Sequence, residues 1–154
     1  MKHWILAAAA LAAMSAAVAA QNRAPAAADP IRARQANYKQ MGAAMKGIND
    51  QLRDRTPAIV PIRRASRLIA GYAVQLLRWF PPGSGAEAGV RTRARPEIWS
   101  DRAGFHRAGA DLLVAARTLD AAAARGDLAA IRAAARQVSR ACSECHDSYR
   151  APEE

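Results

Sequence analysis

Aromatic side chains make up only 5% of this 154-residue chain. β-Branched residues are also sparse, and the composition leans on Ala, Leu and Arg. Strands draw on the residue types that are scarce here and helices on those that abound, so a β-sandwich is excluded and an all-helical fold is expected. Nine glycines and eight prolines are too few for a collagen-like or disordered chain. The length leaves room for one domain and excludes a large multidomain enzyme, and the apolar residues suffice for one core. After residue 20 no run is long and apolar enough to span a membrane. Acidic residues are short as well: 13 Asp and Glu face 23 Lys and Arg, a formal net charge of +10.

The first twenty residues stand apart. Lys2 and His3 precede an uncharged apolar run from Trp4 to Ala20, which ends in the small residues Ala16, Val18 and Ala20 before the polar Gln21. A basic start, a short apolar middle and a small-residue end predict a secretory signal peptide over residues 1–20. The run has 17 residues, the bottom of the range for a retained anchor. Cleavage would leave residues 21–154 as the mature domain, exported to the periplasm without an integral membrane segment.

Four stripes of apolar residues follow at helical spacing. Tyr38, Met41, Met45, Ile48 and Leu52 mark a helix between Ile31 and Arg53. From about Pro57 to Phe80 the stripe is Ile62, Ser66, Ile69, Ala73, Leu76 and Phe80. Pro57 and Pro61 must sit at or before its first turn, since an interior proline would break the backbone ladder. Phe105, Gly109, Leu112, Ala116 and Leu119 define a third helix ending near Gly126. Leu128, Ile131, Ala135, Val138, Cys142 and Cys145 define a fourth, with Asp127 placed to cap its start. Tight turns at 54–57 and 125–127, and a long loop from Phe80 to about Pro96, complete an antiparallel up-down-up-down four-helix bundle.

The two cysteines of the chain lie in Cys142-Ser143-Glu144-Cys145-His146. On a helix, positions i, i+3 and i+4 share one face. Two thioethers can then fix one edge of a porphyrin while the imidazole reaches its iron from the same turn. C-x-x-C-H is the attachment signature of haem c, one per chain, and covalent attachment suits an exported protein. The expected roles are thioether bonds at Cys142 and Cys145 and axial iron ligation at His146. Three other chemistries compete for these residues. A C-x-x-C redox disulfide usually opens a helix after a strand, and no strand is visible. A zinc site lacks further ligands in the mature chain beyond His106. A plain disulfide between i and i+3 would close a trivially short loop. Arg150, four residues past His146, falls on the imidazole's side of the helix. There it would raise the iron potential, or else serve as a solvated cation at the helix C-terminus. No acid/base pair accompanies the motif, so enzymatic turnover is not indicated.

The stretch from Cys142 to Arg150, the run Ala94-Arg95-Pro96-Glu97-Ile98-Trp99-Ser100-Asp101, and Arg34-Gln35 with Met41 and Met45 behind it resemble the cytochrome c prime family. Gly126-Asp127-Leu128 fits the start of that family's fourth helix. The matches keep their order over nearly the whole mature chain. The resemblance implies His146 as the sole protein ligand of a five-coordinate, high-spin iron whose opposite face is a small apolar pocket. Such irons bind nitric oxide and carbon monoxide and disfavour oxygen. It implies that Arg34 and Gln35 contact the haem edge and propionates, that Arg95 and Glu97 lie over it from the long loop, and that Arg150 stands beside the proximal imidazole. Tyr38 takes the place of the residue guarding the open iron face, where low-spin relatives carry a methionine ligand. A protonated phenol is a poor iron ligand, so Tyr38 would occlude the pocket, hydrogen-bond a bound gas or simply pack. Met41 in the same distal pocket, or Met45, leaves a low-spin, six-coordinate electron carrier as the alternative. Homodimers through the first two helices are common in the family. Twenty of the 23 basic residues are arginines. They suit an acidic redox partner or an anionic membrane surface, or are merely solvated; nucleic acid is not an expected partner of an exported protein.

Overall fold

The computed structural model describes residues 29–152. The expected signal peptide, residues 1–20, lies outside them. Five helices follow in order: α1 over 29–53, α2 Ile59–Gln75, the one-turn α3 Glu97–Ser100, α4 Arg102–Arg125 and α5 Leu128–Tyr149. No strand occurs among the described residues. The four long helices form an up-down-up-down bundle, with α4 packed between α2 and α5.

Each long helix buries the stripe that its spacing predicts. Ile48 and Leu52 of α1, Ile62 and Ile69 of α2, Phe105 and Leu119 of α4, and Ile131 and Val138 of α5 are all buried in one core. The helix ends are held by specific bonds. Pro57 precedes α2 and Pro61 sits in its first turn, where the missing N–H costs nothing. Gly126 closes α4 in the left-handed region at φ 71°, its backbone N–H donating to the terminal carbonyls of Ala122 and Ala123. Asp127 then caps α5 by accepting from the Ala130 amide at 3.0 Å. Arg63 of α2 donates to the Ala123 and Ala124 carbonyls, each at 2.9 Å. Arg132 of α5 likewise donates to the Leu52 carbonyl at the end of α1.

Two details differ from the spacing alone. The second helix does not run regularly to Phe80: it leaves α geometry after Gln75 and tightens into a 3₁₀ turn over Leu76–Trp79. Pro81 and Pro82 follow, and a residue preceding proline is driven out of the helical region; Phe80 sits at φ −121°, ψ 62°. The long loop is also more ordered than a plain connection. A short turn forms at Glu97–Ser100, and Asp101 at φ −107°, ψ 61° breaks it and caps α4. Residues 81–96 form a strap across one end of the bundle. Ala94 pairs antiparallel with Arg150, through Arg95 N to Tyr149 O at 3.1 Å and Ala151 N to Arg93 O at 2.8 Å.

Candidate functional site

A cavity of about 1110 Å³ opens between α1 and α5. Its floor is apolar, built from Met41, Ile69, Phe80, Ile98, Phe105 and Val138. The C-terminal half of α5 presents Cys142, Cys145, His146 and Tyr149 to it, and α1 presents Arg34, Gln35, Tyr38, Met41 and Met45. The C-x-x-C-H turn and the stripe from Arg34 to Met45 are thus opposite walls of one space, which neither segment could define alone.

The electrostatics argue against reactive thiols. Cys142 and Cys145 are half-buried and free, and burial pushes both thiols up, Cys145 to about 11 with the neighbouring Cys142 adding to the effect. A redox C-x-x-C needs the opposite, a thiol pulled down towards neutrality. Among the described residues no group of three or more His, Cys, Asp and Glu side chains is placed to hold a metal ion. Burial lowers the His146 pKa, and the nearby cations Arg150 and Arg93 lower it further, with Asp147 opposing them. A neutral imidazole is the form that can donate a lone pair to a metal. Burial is also the main reason that Tyr38 is held well above the ordinary phenol range, so this ring stays protonated.

The ring of Tyr38 is fixed by neighbours. It stands edge-on to Trp79 at 5.2 Å and tilted against Phe80 at 6.3 Å. Phe80 in turn meets Phe105 edge-on at 5.0 Å, and Phe105 meets Tyr149 at 5.3 Å. A continuous aromatic wall therefore joins the α1 side of the cavity to the end of α5.

The arginines divide their work. Arg34 is 2% exposed and its guanidinium binds the strap: Nη1 donates to Ser84 Oγ at 2.9 Å, and Nη2 to the Ser84 carbonyl at 2.7 Å and Thr92 Oγ1 at 2.9 Å. It also lies 4.7 Å over the Phe80 ring. Gln35 donates to the Arg91 carbonyl at 2.9 Å. Arg95 and Glu97 pair with each other at 3.1 Å, and Arg95 reaches the Asp147 carbonyl at 3.4 Å; neither lines the cavity. Arg93 does line it, and its Nε donates to the Ala151 carbonyl at 2.8 Å. Sequence reading missed Arg93, Thr92 and Ile98 as cavity residues. The alternation of arginines at 91, 93 and 95 hinted at an extended segment, but which of them turns inward depends on the pairing with Arg150.

A largely apolar space with two thiols and an imidazole on one helix turn, and cations but no carboxylates among its lining residues, fits a porphyrin with acidic substituents. The cytochrome c' family profile matches residues 29–150. The chain belongs to the cytochrome c' family. Haem c, attached covalently, is the cofactor of this family. Cytochrome c' from Allochromatium vinosum is 32% identical over 125 residues, covering 80% of each chain. That from Rubrivivax gelatinosus is 43% identical over 68 residues, 44% of this chain and 53% of the relative; this match spans about half of the relative's length. Among solved structures, cytochrome c' of Thermochromatium tepidum superposes with a TM-score of 0.77 at 32% identity, over 82% of this chain and 97% of that one. A cytochrome c' described as having ligand-controlled dimer dissociation gives 0.76 at 30% identity, over 82% and 97%. A nitric oxide complex of a variant of Alcaligenes xylosoxidans cytochrome c' gives 0.73 at 28% identity, over 81% and 95%.

Proposed function

We propose that this cytochrome c' binds nitric oxide and carbon monoxide at an open haem iron and takes part in electron transfer. Cys142 and Cys145 would hold the haem by thioether bonds and His146 would ligate its iron. When bound, the haem supplies a redox-active iron with one free coordination position. The observation that carries this reading is Tyr38 on the wall facing the C-x-x-C-H turn. It is locked by Trp79 and Phe80 and kept protonated by burial, so it can shield or hydrogen-bond a small ligand but is a poor iron ligand. The nitric oxide complex of the Alcaligenes xylosoxidans relative supports the same use here. Arg34 and Gln35 stiffen the strap at the cavity edge through their bonds to Ser84, Thr92 and the Arg91 carbonyl. Arg93 and Arg150 place positive charge beside His146, which raises the iron potential.

The alternative, a low-spin carrier with Met41 or Met45 as sixth ligand, rests on both thioethers lining the cavity. Absorption spectra of ferric and ferrous holoprotein, before and after carbon monoxide, separate the two. A broad high-spin ferrous Soret band that sharpens and shifts with carbon monoxide is expected. Sharp low-spin bands indifferent to the gas would establish the carrier instead and refute the assignment of Tyr38.

Residues 1–20 act in this reading as an export signal to the periplasm. The protein is a binding and carrier protein, not an enzyme. Lys39, Arg93 and Arg150 line the cavity, with no carboxylate among its lining residues, while Lys46 and Arg53 beside them are paired with Asp50; the remaining positive charge suits an acidic redox partner. The chain forms a homodimer through the outer faces of α1 and α2, where Ala43, Ala44, Val60 and Leu68 line a shallow apolar groove and Val60 is 67% exposed.

A further inference from the structure

The run Ala94–Asp101 ends on a carboxylate that the reading above leaves without a task. Asp101 Oδ1 accepts from the Gly104 amide at 3.0 Å and so caps α4. Its Oδ2 accepts from the Tyr149 hydroxyl at 2.8 Å. Tyr149 is the last residue of α5, three past His146, and is only 8% exposed. Its ring is pinned edge-on by Phe105, its carbonyl accepts from the Arg95 amide, and the Arg150 amide closes back on the His146 carbonyl at 3.1 Å. Gly104 makes the arrangement fit: a Cβ there would lie 2.4 Å from the Tyr149 hydroxyl and 2.0 Å from Asp101 Oδ2.

From these contacts we infer that Asp101 and Tyr149 form a positioning pair, which docks the His146-bearing turn of α5 onto the start of α4 and so sets where the imidazole meets the iron. A helix end held only by its own backbone frays. Here the last turn is anchored by the Tyr149–Asp101 bond as well as by the strap, and the anchoring carboxylate is itself held by the first turn of α4. Neither residue touches the iron; both act through His146. The inference rests on His146 being the haem ligand.

Two conservative variants isolate the bond. Tyr149→Phe keeps the ring against Phe105 and loses the hydroxyl. Asp101→Ser keeps a good helix cap for the Gly104 amide but has no second oxygen to accept from the Tyr149 hydroxyl. In ferrous holoprotein each variant should lower and broaden the iron–histidine stretching band in resonance Raman spectra and shift the reduction potential in the same direction. Amide exchange at Arg150 and Ala151 should quicken roughly tenfold, as expected when a local opening loses one such bond. The double variant should match the singles, because both remove the same contact. Unchanged band, potential and exchange, with only a lower melting temperature, would overturn the inference and leave the pair a plain structural contact. Additive effects in the double variant would overturn it too. If wild-type protein carries covalent haem but no iron–histidine band, the open-iron reading fails, while exchange at Arg150 and Ala151 still decides the fate of the pair. If it carries no haem, the assignment of His146 fails and takes the inference with it.

Discussion

Replacing Gly104 by alanine should destabilise the protein, against the ordinary rule for helical glycines. In an exposed helix interior Gly→Ala is favourable by about 0.8–1 kcal/mol, because glycine loses more backbone freedom on folding. Gly47 of α1 and Gly71 of α2 obey that rule here, since a Cβ at either meets nothing within 4 Å. At Gly104 the same atom would come within 2.0 Å of Asp101 Oδ2, 2.7 Å of its Cγ and 2.4 Å of the Tyr149 hydroxyl. The carboxylate can move aside only by turning about Cα–Cβ or Cβ–Cγ, and a rotation large enough to clear the new methyl takes its oxygens off the Gly104 amide and the Tyr149 hydroxyl. Overpacking of this kind costs typically about 1–3 kcal/mol, which set against the helix gain leaves a net loss of up to about 2 kcal/mol. Denaturant unfolding of the three holoprotein variants reads the difference: G47A and G71A move the midpoint up and G104A moves it down. A G104A protein as stable as G71A would refute the packing argument and show that the Asp101–Tyr149 contact relaxes at no cost.

Four further outcomes follow from the same contacts. Replacing Arg34 by methionine removes three hydrogen bonds to the strap; each bond to a charged group contributes about 1.5–3 kcal/mol, so a stability loss of at least about 3 kcal/mol and faster proteolysis within residues 81–96 are expected. Tyr38→Ala should raise the carbon monoxide association rate at least about tenfold by opening the guarded face, measured by flash photolysis; an unchanged rate would remove Tyr38 from the ligand path. Cys142→Ala with Cys145→Ala should leave haem extractable by acidified organic solvent, whereas the parent protein retains it. In the acid limb, Asp101 is held below the ordinary carboxylate range by the Gly104 amide and then by Tyr149. A depressed folded value means stability present above the unfolded pKa near 4 and lost as pH falls through the folded one. D101N should therefore flatten the stability profile below about pH 4 and leave it parallel to wild type at neutral pH, with a modest amplitude because the group is exposed.

Helical periodicity alone located the four long helices, and the reason is local. Burial of one face at 3.6-residue spacing is decided within each segment, so Ile62, Ile69, Leu119 and Ile131 are buried as their spacing predicts. Gly126 and Asp127 were equally legible, since a left-handed closing residue and a capping carboxylate act within four residues of themselves. The C-x-x-C-H motif declared its chemistry for the same reason: its three side chains share one helix turn.

The tertiary structure decided everything that depends on residues far apart in the chain. Arg34 meets Thr92 across 58 positions, and Tyr149 meets Asp101 across 48; no periodicity records such distances. Family resemblance drew attention to Arg95 and Glu97; the antiparallel pairing of Ala94 with Arg150 directs Arg93 to the cavity, while Arg95 pairs with Glu97 and reaches the Asp147 carbonyl. That pairing is a backbone event between two segments with no shared pattern. Likewise the spacing put Phe80 on the core stripe and the two prolines after it announced a break, but only the packed bundle settled its neighbours, the buried guanidinium of Arg34 and the ring of Phe105. Side chains at short spacing select the helices; where the helices bring those side chains together is set by the core they jointly fill.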